Sequence, residues 1–195
     1  VDPAWWPQLD DYYDRGHFAL QIGIDGVRVG PIGERGLVGL CPIDPSSFAG
    51  IPWDSRRYLA GFAGNRHRGE RAEFIDEMIR LDAIEYRPRD DKTPEEYRAF
   101  LQDCKIMINH PMSGGGTSRH VKARVLEAAL AGCVLLELGD SPTADWFTAG
   151  CDYLEYRDAD DAVKKIEWVR ENPIRAREIA AALRTRVLNE HSPAI

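Results

Sequence analysis

Positive charge gathered where a chain could hold phosphate is the first chemistry this sequence offers, and two segments carry it. One is Gly61-Phe-Ala-Gly64-Asn65-Arg66-His67-Arg68-Gly69-Glu70-Arg71; the other is Ser113-Gly114-Gly115-Gly116-Thr117-Ser118-Arg119-His120-Val121-Lys122-Ala123-Arg124. In the second, Arg119, Lys122 and Arg124 crowd the expected start of a helix, where the macrodipole already places about half a positive charge. Cations there are unfavourable unless an anion compensates them. Gly114, Gly115 and Gly116 stand just ahead and free backbone N–H groups to approach that anion closely. Glycines, helix start and basic side chains together describe a phosphate cradle; the alternative is a surface loop with solvated arginines. In the first segment, Arg66 and Arg68 could reach the same anion, or simply pair with Glu70 and Glu73. Two basic loops at one edge of a sheet favour the anion site.

Other chemistries fit poorly. A Walker loop needs Gly-Lys followed by Ser or Thr, which is absent, and the dinucleotide fingerprint fails because Arg119 stands at the third glycine of Gly114-x-Gly116-x-x-Gly. On a helical wheel Val121, Val125, Leu126, Ala129 and Leu130 form an apolar arc, leaving Arg124 and Glu127 on the far side. They read either as an i,i+3 surface pair or, for Glu127, as an acceptor for paired ligand hydroxyls of the ribose kind. His110 ends a strand without a second ligand at metal spacing, and Asp158-Ala-Asp160 reads as a helix cap rather than a metal motif. No metal site is expected, and neither a Gly-x-Ser-x-Gly elbow nor a cysteine–histidine arrangement suggests a nucleophile.

The chain has 195 residues and 22.0 kDa, with 44% hydrophobic and 29% charged residues, which is the composition of a foldable globular chain. Its net charge of −7 argues against a nucleic-acid surface, although 20 of the 25 basic residues are arginine. Apolar runs such as Cys133–Leu136 are far shorter than the ~20 residues of a membrane helix, and no signal peptide is evident. Cys41, Cys104, Cys133 and Cys151 lack Cys-x-x-Cys spacing, so a reduced, cytoplasmic setting is expected. A chain that opens at Val1-Asp2-Pro3 is expected to be a fragment or a processed product.

Residues 1–50 read as short strands around Ala19–Ile24 and Val27–Val29, followed by a linker from Pro42 to Pro52. From residue 56 strands and helices alternate: a strand at Tyr58–Ala63, a helix over Glu70–Leu81, a strand at Ala83–Tyr86, and a helix opened by the capping box Thr93-Pro94-Glu95-Glu96. A strand at Lys105–Asn109, a helix over Val121–Ala131 stopped by Gly132, and a strand at Cys133–Leu138 come next. A short helix from Ser141 to Gly150, a strand at Tyr153–Tyr156 and two closing helices capped by Asp158 and Asn172 complete the pattern. Alternation of this kind means an α/β domain with a Rossmann-like parallel sheet, helices on both faces, over residues 56–192.

Around Lys122-Ala-Arg124-Val-Leu-Glu127-Ala-Ala-Leu-Ala-Gly132-Cys133-Val-Leu-Leu-Glu137 the sequence resembles the C-terminal, donor-binding half of GT-B glycosyltransferases, particularly the group related to the spore-maturation CgeB proteins. Their Arg-x-Phe-Glu-Ala helix, small-residue stretch to Gly and apolar strand are matched there. Asp145-Trp146-Phe147-Thr148-Ala149-Gly150, Asp158–Asp161, Asn172-Pro173 and His191-Ser192 resemble the elements that follow, while Gly61–Gly64 with Arg66 and Lys105–Asn109 resemble those upstream. The resemblance implies a site for a nucleotide-diphosphate sugar, used as substrate with no further cofactor. Glu127 would hold the ribose hydroxyls, Arg66 or Arg68 with Lys122 the diphosphate, and Gly114–Gly116 would close on the donor, with Arg124 a further donor-site candidate. The sequence departs from the family at one point: many GT-B enzymes carry a sugar-contacting glutamate eight positions before the ribose glutamate, and Arg119 stands there. The acceptor is unknown, and the acceptor site belongs to an N-terminal GT-B domain of which residues 1–50 would be only the tail.

The expected activity is thus sugar transfer from a nucleotide-diphosphate sugar to that acceptor. A non-catalytic nucleotide-sugar-binding or partner-docking module is the alternative, and an NAD-type Rossmann enzyme is disfavoured by the broken fingerprint.

Overall fold

The computed structural model describes residues 21–23, 26, 36–66, 68–89, 92–113 and 118–191. Gly114–Gly116 and the expected strand at Val27–Val29 lie outside them. Five parallel strands form the main sheet in the order β4-β3-β5-β6-β7: β3 (Tyr58–Ala63), β4 (Glu85–Arg87), β5 (Cys104–Asn109), β6 (Val134–Leu138) and β7 (Leu154–Tyr156). Two shorter strands, β1 (Gln21–Gly23) and β2 (Gly36–Val38), pair in parallel ahead of it. The helices are α1 (Glu70–Arg80), α2 (Pro94–Asp103), α3 (Ala123–Leu130), α4 (Ala159–Glu171) and α5 (Pro173–Arg186). This is the expected Rossmann-like α/β architecture, and among the described residues no helix is long and apolar enough to cross a membrane.

Alternation along the strands divides the core in two. Ala60, Phe62, Ile106, Ile108, Val134 and Leu136 face α1 and α4, with Ile75, Met78 and Ile166 beneath them. Met107 and Leu135 face the other way, against α2 and α3 through Leu101, Val125 and Leu126. By the same alternation Asn109 and Glu137, paired across β5 and β6, fall on the α3 side. The chain runs from β3 outward to β4 and then returns to place β5 on the other flank of β3. Between β3 and β5 the connections therefore diverge to opposite sides, which opens a crevice beyond their C-terminal ends.

Local chemistry fixes the ends of these elements. The capping box is complete: Glu96 N–H donates to Thr93 Oγ1 at 3.2 Å and Thr93 N–H to Glu96 Oε2 at 2.9 Å. Gly132 closes α3 at φ +71°, and Asp158 Oδ1 accepts from Asp161 N–H at 2.8 Å. Asn172 behaves differently from expectation. Its Nδ2 donates to Trp168 O at 2.9 Å and so closes α4, while α5 begins at Pro173 without a side-chain cap. The helix expected at Ser141–Gly150 is a 3-10 turn, Pro142–Asp145, because Thr143 turns inward to bond Ser141 and Glu137 instead of continuing a spiral. The segment expected as a linker also docks: Phe48, 5% exposed, enters the core beside Tyr97 and Phe100, and Gly50 N–H donates to Gln102 Oε1.

Arg56 fastens this strap. Its buried guanidinium donates to Cys104 O at 2.8 Å, Ala131 O at 2.7 Å and Ile51 O at 3.2 Å, tying the ends of α2 and α3 under the sheet. Arg56→Met should cost about 2–4 kcal/mol, since it leaves buried carbonyls unpaired. Urea unfolding should show a lower midpoint with unchanged slope, and Arg56→Lys, lacking the planar fork, should not restore it.

Candidate functional site

The two basic loops lie at the C-terminal ends of β3 and β5, on either side of the crevice. Gly64 stands at its centre with φ +141°, and a Cβ there would overlap Arg124 Nη2 and come within 3.1 Å of Arg71 Nη2. Two guanidinium groups, from helices on opposite faces of the sheet, thus converge on one backbone atom. Both lie against the Phe62 ring, Arg124 at 4.6 Å from its centroid and Arg71 at 5.3 Å. Among the described residues neither forms an ion pair with a carboxylate, and the Nε of each is buried without a partner. Burial, reinforced by the charge of Arg124, pushes the Arg71 guanidinium down to about 10.

His110, at the end of β5, shows how far the positive charge is concentrated. It is 1% exposed, meets the Phe74 ring at a tilt with centroids 5.7 Å apart, and its Nδ1 accepts from Met112 N–H at 3.4 Å. Burial first, then the charges of Arg71, Arg119, Lys122 and Arg124, push its imidazole down to about 4. Four cations therefore act on one ring, whose Nε2 lies 3.9 Å from Glu70 Oε1.

The expected site residues divide accordingly. Arg124 is buried, not on an exposed face, because α3 turns it toward the rim, where Nη1 donates to Asn109 Oδ1 at 3.1 Å. Lys122 is the residue before α3, half-buried, with Nζ 2.8 Å from His120 Nε2. Neither it nor the first turn of α3 supplies an acidic or capping side chain to the helix start. Glu127 forms no pair with Arg124; its Oε2 accepts from Tyr97 OH at 2.6 Å. Arg66 is exposed, pairs with Asp76 rather than Glu70 or Glu73, and lies over Tyr86, turned toward β4 and away from the four cations. Arg68 is exposed just ahead of α1. Glu70 reaches the other loop, pairing with Arg119 at 3.1 Å, and Arg119 also donates to Gly139 O. The loop containing Gly114–Gly116 is closed at its base by a Met112–Arg119 bridge and by Ser113 N–H donating to Ser118 O at 2.8 Å.

Sequence reasoning missed Arg71 and the Asn109–Glu137 pair. Arg71 stands at i of the i, i+4, i+7 stripe completed by Ile75 and Met78, a buried position. Glu137 is fully buried in an otherwise apolar strand; Oε2 accepts from Asn109 Nδ2 at 2.8 Å and Thr143 Oγ1 at 3.2 Å, while Oε1 has no partner. Asn109 thus links Arg124 to Glu137. Burial raises the Glu137 carboxyl to about 7, opposed by the hydrogen bonds of Asn109 and Thr143 and by the charge of Arg124.

The structure is thus a Rossmann-like domain with a cationic crevice at its switch point. The glycosyl transferase-like family model matches residues 54–194, and the chain belongs to that family. Among solved structures, Anabaena HepE in complex with UDP-glucose superimposes with TM-score 0.60 at 12% identity, covering 87% of this chain and 59% of that one. S. aureus TarM, in a complex with UDP, gives 0.58 at 13% identity over 82% and 37%. Sucrose-phosphate synthase from Thermosynechococcus elongatus gives 0.55 at 13% over 94% and 52%. The fold is the Rossmann-like fold of GT-B glycosyltransferases, and the chain spans less than two thirds of the length of each of these structures. A search of curated proteins found no match.

The two buried titrations act in opposite directions on stability. Glu137, raised from 4.5 to about 7, holds its proton in the fold after the unfolded chain has lost it, so its contribution is full below pH 4.5 and lost as pH rises through about 7. His110, lowered from 6.5 to about 4, contributes above pH 6.5, and that contribution is lost as pH falls through about 4. Glu137→Gln removes only the first. The stability of this variant relative to the parent should rise by about 3 kcal/mol between pH 4.5 and 7, measured by urea unfolding at each pH. A constant difference across that window would show that Glu137 ionises normally.

Proposed function

We propose that this chain is the nucleotide-sugar-binding half of a glycosyltransferase, and that the crevice between β3 and β5 takes the donor's diphosphate. The convergence of Arg71 and Arg124 at Gly64, with no carboxylate among the described residues paired to either, carries this reading. Lys122 and the uncapped start of α3 add positive charge and backbone N–H donors on the same side. In transfer, the acceptor oxygen bonds to the anomeric carbon as the bond from that carbon to the diphosphate breaks, and negative charge builds on the leaving phosphate. Guanidinium and ammonium groups already in place stabilise that charge without reorganising, so the reading needs no metal ion. Glu127 takes the ribose hydroxyls and Gly114–Gly116 close over the phosphates. Arg66 and Arg68 contribute at longer range, Arg66 only on releasing Asp76. The acceptor and the base that receives its proton belong to an N-terminal domain. A cytoplasmic setting agrees with the unpaired buried thiols of Cys104 and Cys133.

Calorimetric titration of the chain with UDP and GDP tests the site. Charge-assisted contacts contribute about 1.5–3 kcal/mol each, so Lys122→Ala and Arg71→Ala should each weaken nucleoside-diphosphate binding about 10- to 100-fold. Arg66→Ala should weaken it less. Equal affinity in the parent, Lys122→Ala and Arg71→Ala would remove the crevice from consideration. Donor turnover in neither this chain nor a longer parent would favour the non-catalytic module.

A further inference from the structure

A groove of about 540 Å³ runs beside the crevice, between the docked strap at Pro42–Phe48 and the start of α2, and Tyr97 and Glu127 form part of its wall. Tyr97 is 9% exposed and is fixed from three sides. Its backbone N–H donates to Thr93 O at 3.0 Å within the capping box, Arg89 lies over its ring at 5.5 Å, and Phe48 packs in the same core cluster. A tyrosine so held has little freedom to lose when its hydroxyl makes a bond. That hydroxyl donates to Glu127 Oε2 at 2.6 Å, and burial raises its own pKa well beyond the ordinary phenol range, which keeps it a donor. Among the described residues Glu127 makes no ion pair, and no hydrogen bond to Oε1. One oxygen is occupied; the other can accept from a ligand.

We infer that Tyr97 is a positioning residue for Glu127: by holding Oε2 it aims Oε1 into the groove as an acceptor for the hydroxyls of a ribonucleotide, and so favours ribose over deoxyribose ligands. The inference rests on the reading of the crevice as a nucleoside-diphosphate site. Asn or Gln at position 127 would offer one acceptor and one donor; a carboxylate whose donor-facing oxygen is already satisfied offers acceptance alone, which suits a hydroxyl pair.

The experiment compares UDP and GDP with their 2′,3′-dideoxy analogues on the parent chain, Tyr97→Phe, Glu127→Gln and the double variant, by calorimetry. Tyr97→Phe should weaken the ribonucleoside diphosphate about three- to tenfold, as loss of one hydrogen bond to a charged partner implies, and leave the dideoxy analogue within twofold. The double variant should bind no more weakly than Glu127→Gln alone, because both changes remove one interaction. A partly unfolded Tyr97→Phe protein would lower both affinities together, so the ratio of the two still reports selectivity. If Glu127→Gln reduces that ratio and Tyr97→Phe does not, the positioning role is wrong while the crevice stands. If neither variant changes the ratio, Glu127 is no hydroxyl acceptor and the inference falls, whereas loss of binding in Lys122→Ala would still support the diphosphate site. If no nucleoside diphosphate binds the parent chain, both fall together.

Discussion

Two like charges buried against one aromatic ring are the constraint around which the rim of this domain is built. Arg71 and Arg124 approach the same glycine from opposite faces of the sheet, and neither has a carboxylate within ion-pairing distance among the described residues. A buried, uncompensated charge costs several kcal/mol, so the surroundings are arranged to make the pair tolerable. The Phe62 face receives both cations, Asn109 accepts from Arg124, and the Glu137 carboxyl acts through that amide and not by contact. A direct Arg124–Glu137 bridge would have cancelled the charge. The interposed asparagine holds the guanidinium in place and leaves its charge available to an anion.

The topology explains why this happens at β3 and β5 and nowhere else in the sheet. Connections leave these adjacent strands toward opposite flanks, so no crossover covers their ends, and each delivers a basic loop to the gap. The same geometry lets α1 contribute Arg71 and α3 contribute Arg124 without either helix bending. At the opposite end of the strands Arg56 is used differently: all of its backbone contacts are to carbonyls, and it seals the base of the sheet. One residue type thus seals the sheet at one end and gathers positive charge at the other, the difference being whether acceptors surround it.

The elements were legible because their periodicity is strong. The capping box at Thr93, the stop at Gly132 and the apolar strands at Tyr58–Ala63 and Lys105–Asn109, the latter one residue longer in the structure, are local statements that tertiary context does not override. The site was legible only as charge. Lys122 and Arg124 stand out beside a glycine run, but a helical wheel puts Arg124 on the solvent side, since it counts only apolar neighbours and cannot see Gly64 arriving from β3. Arg71 was hidden for the converse reason: its place on a buried stripe is visible in the sequence, yet an arginine there reads as a surface residue until the opposite loop is known. Glu137 lay in plain sight within Val134–Leu138, and its meaning depends on Asn109 being its register partner, which is a property of the sheet. Phe48 was lost in a proline- and serine-rich segment whose composition conceals one anchoring side chain.

Arg119 shows how a departure from a family pattern is absorbed. By the resemblance drawn from the sequence, many GT-B enzymes carry a glutamate at that position. A reversal to arginine would place a further cation among Arg71, Lys122 and Arg124 and raise their mutual repulsion. The chain offsets it with Glu70, which belongs to the other loop, and the resulting ion pair at 3.1 Å joins the two sides of the crevice. Gly139 O, at the end of β6, takes the second guanidinium nitrogen. Arg119 thus fastens the two loops to each other. The ion pair that joins the two basic loops is partly exposed to solvent, hence sensitive to salt.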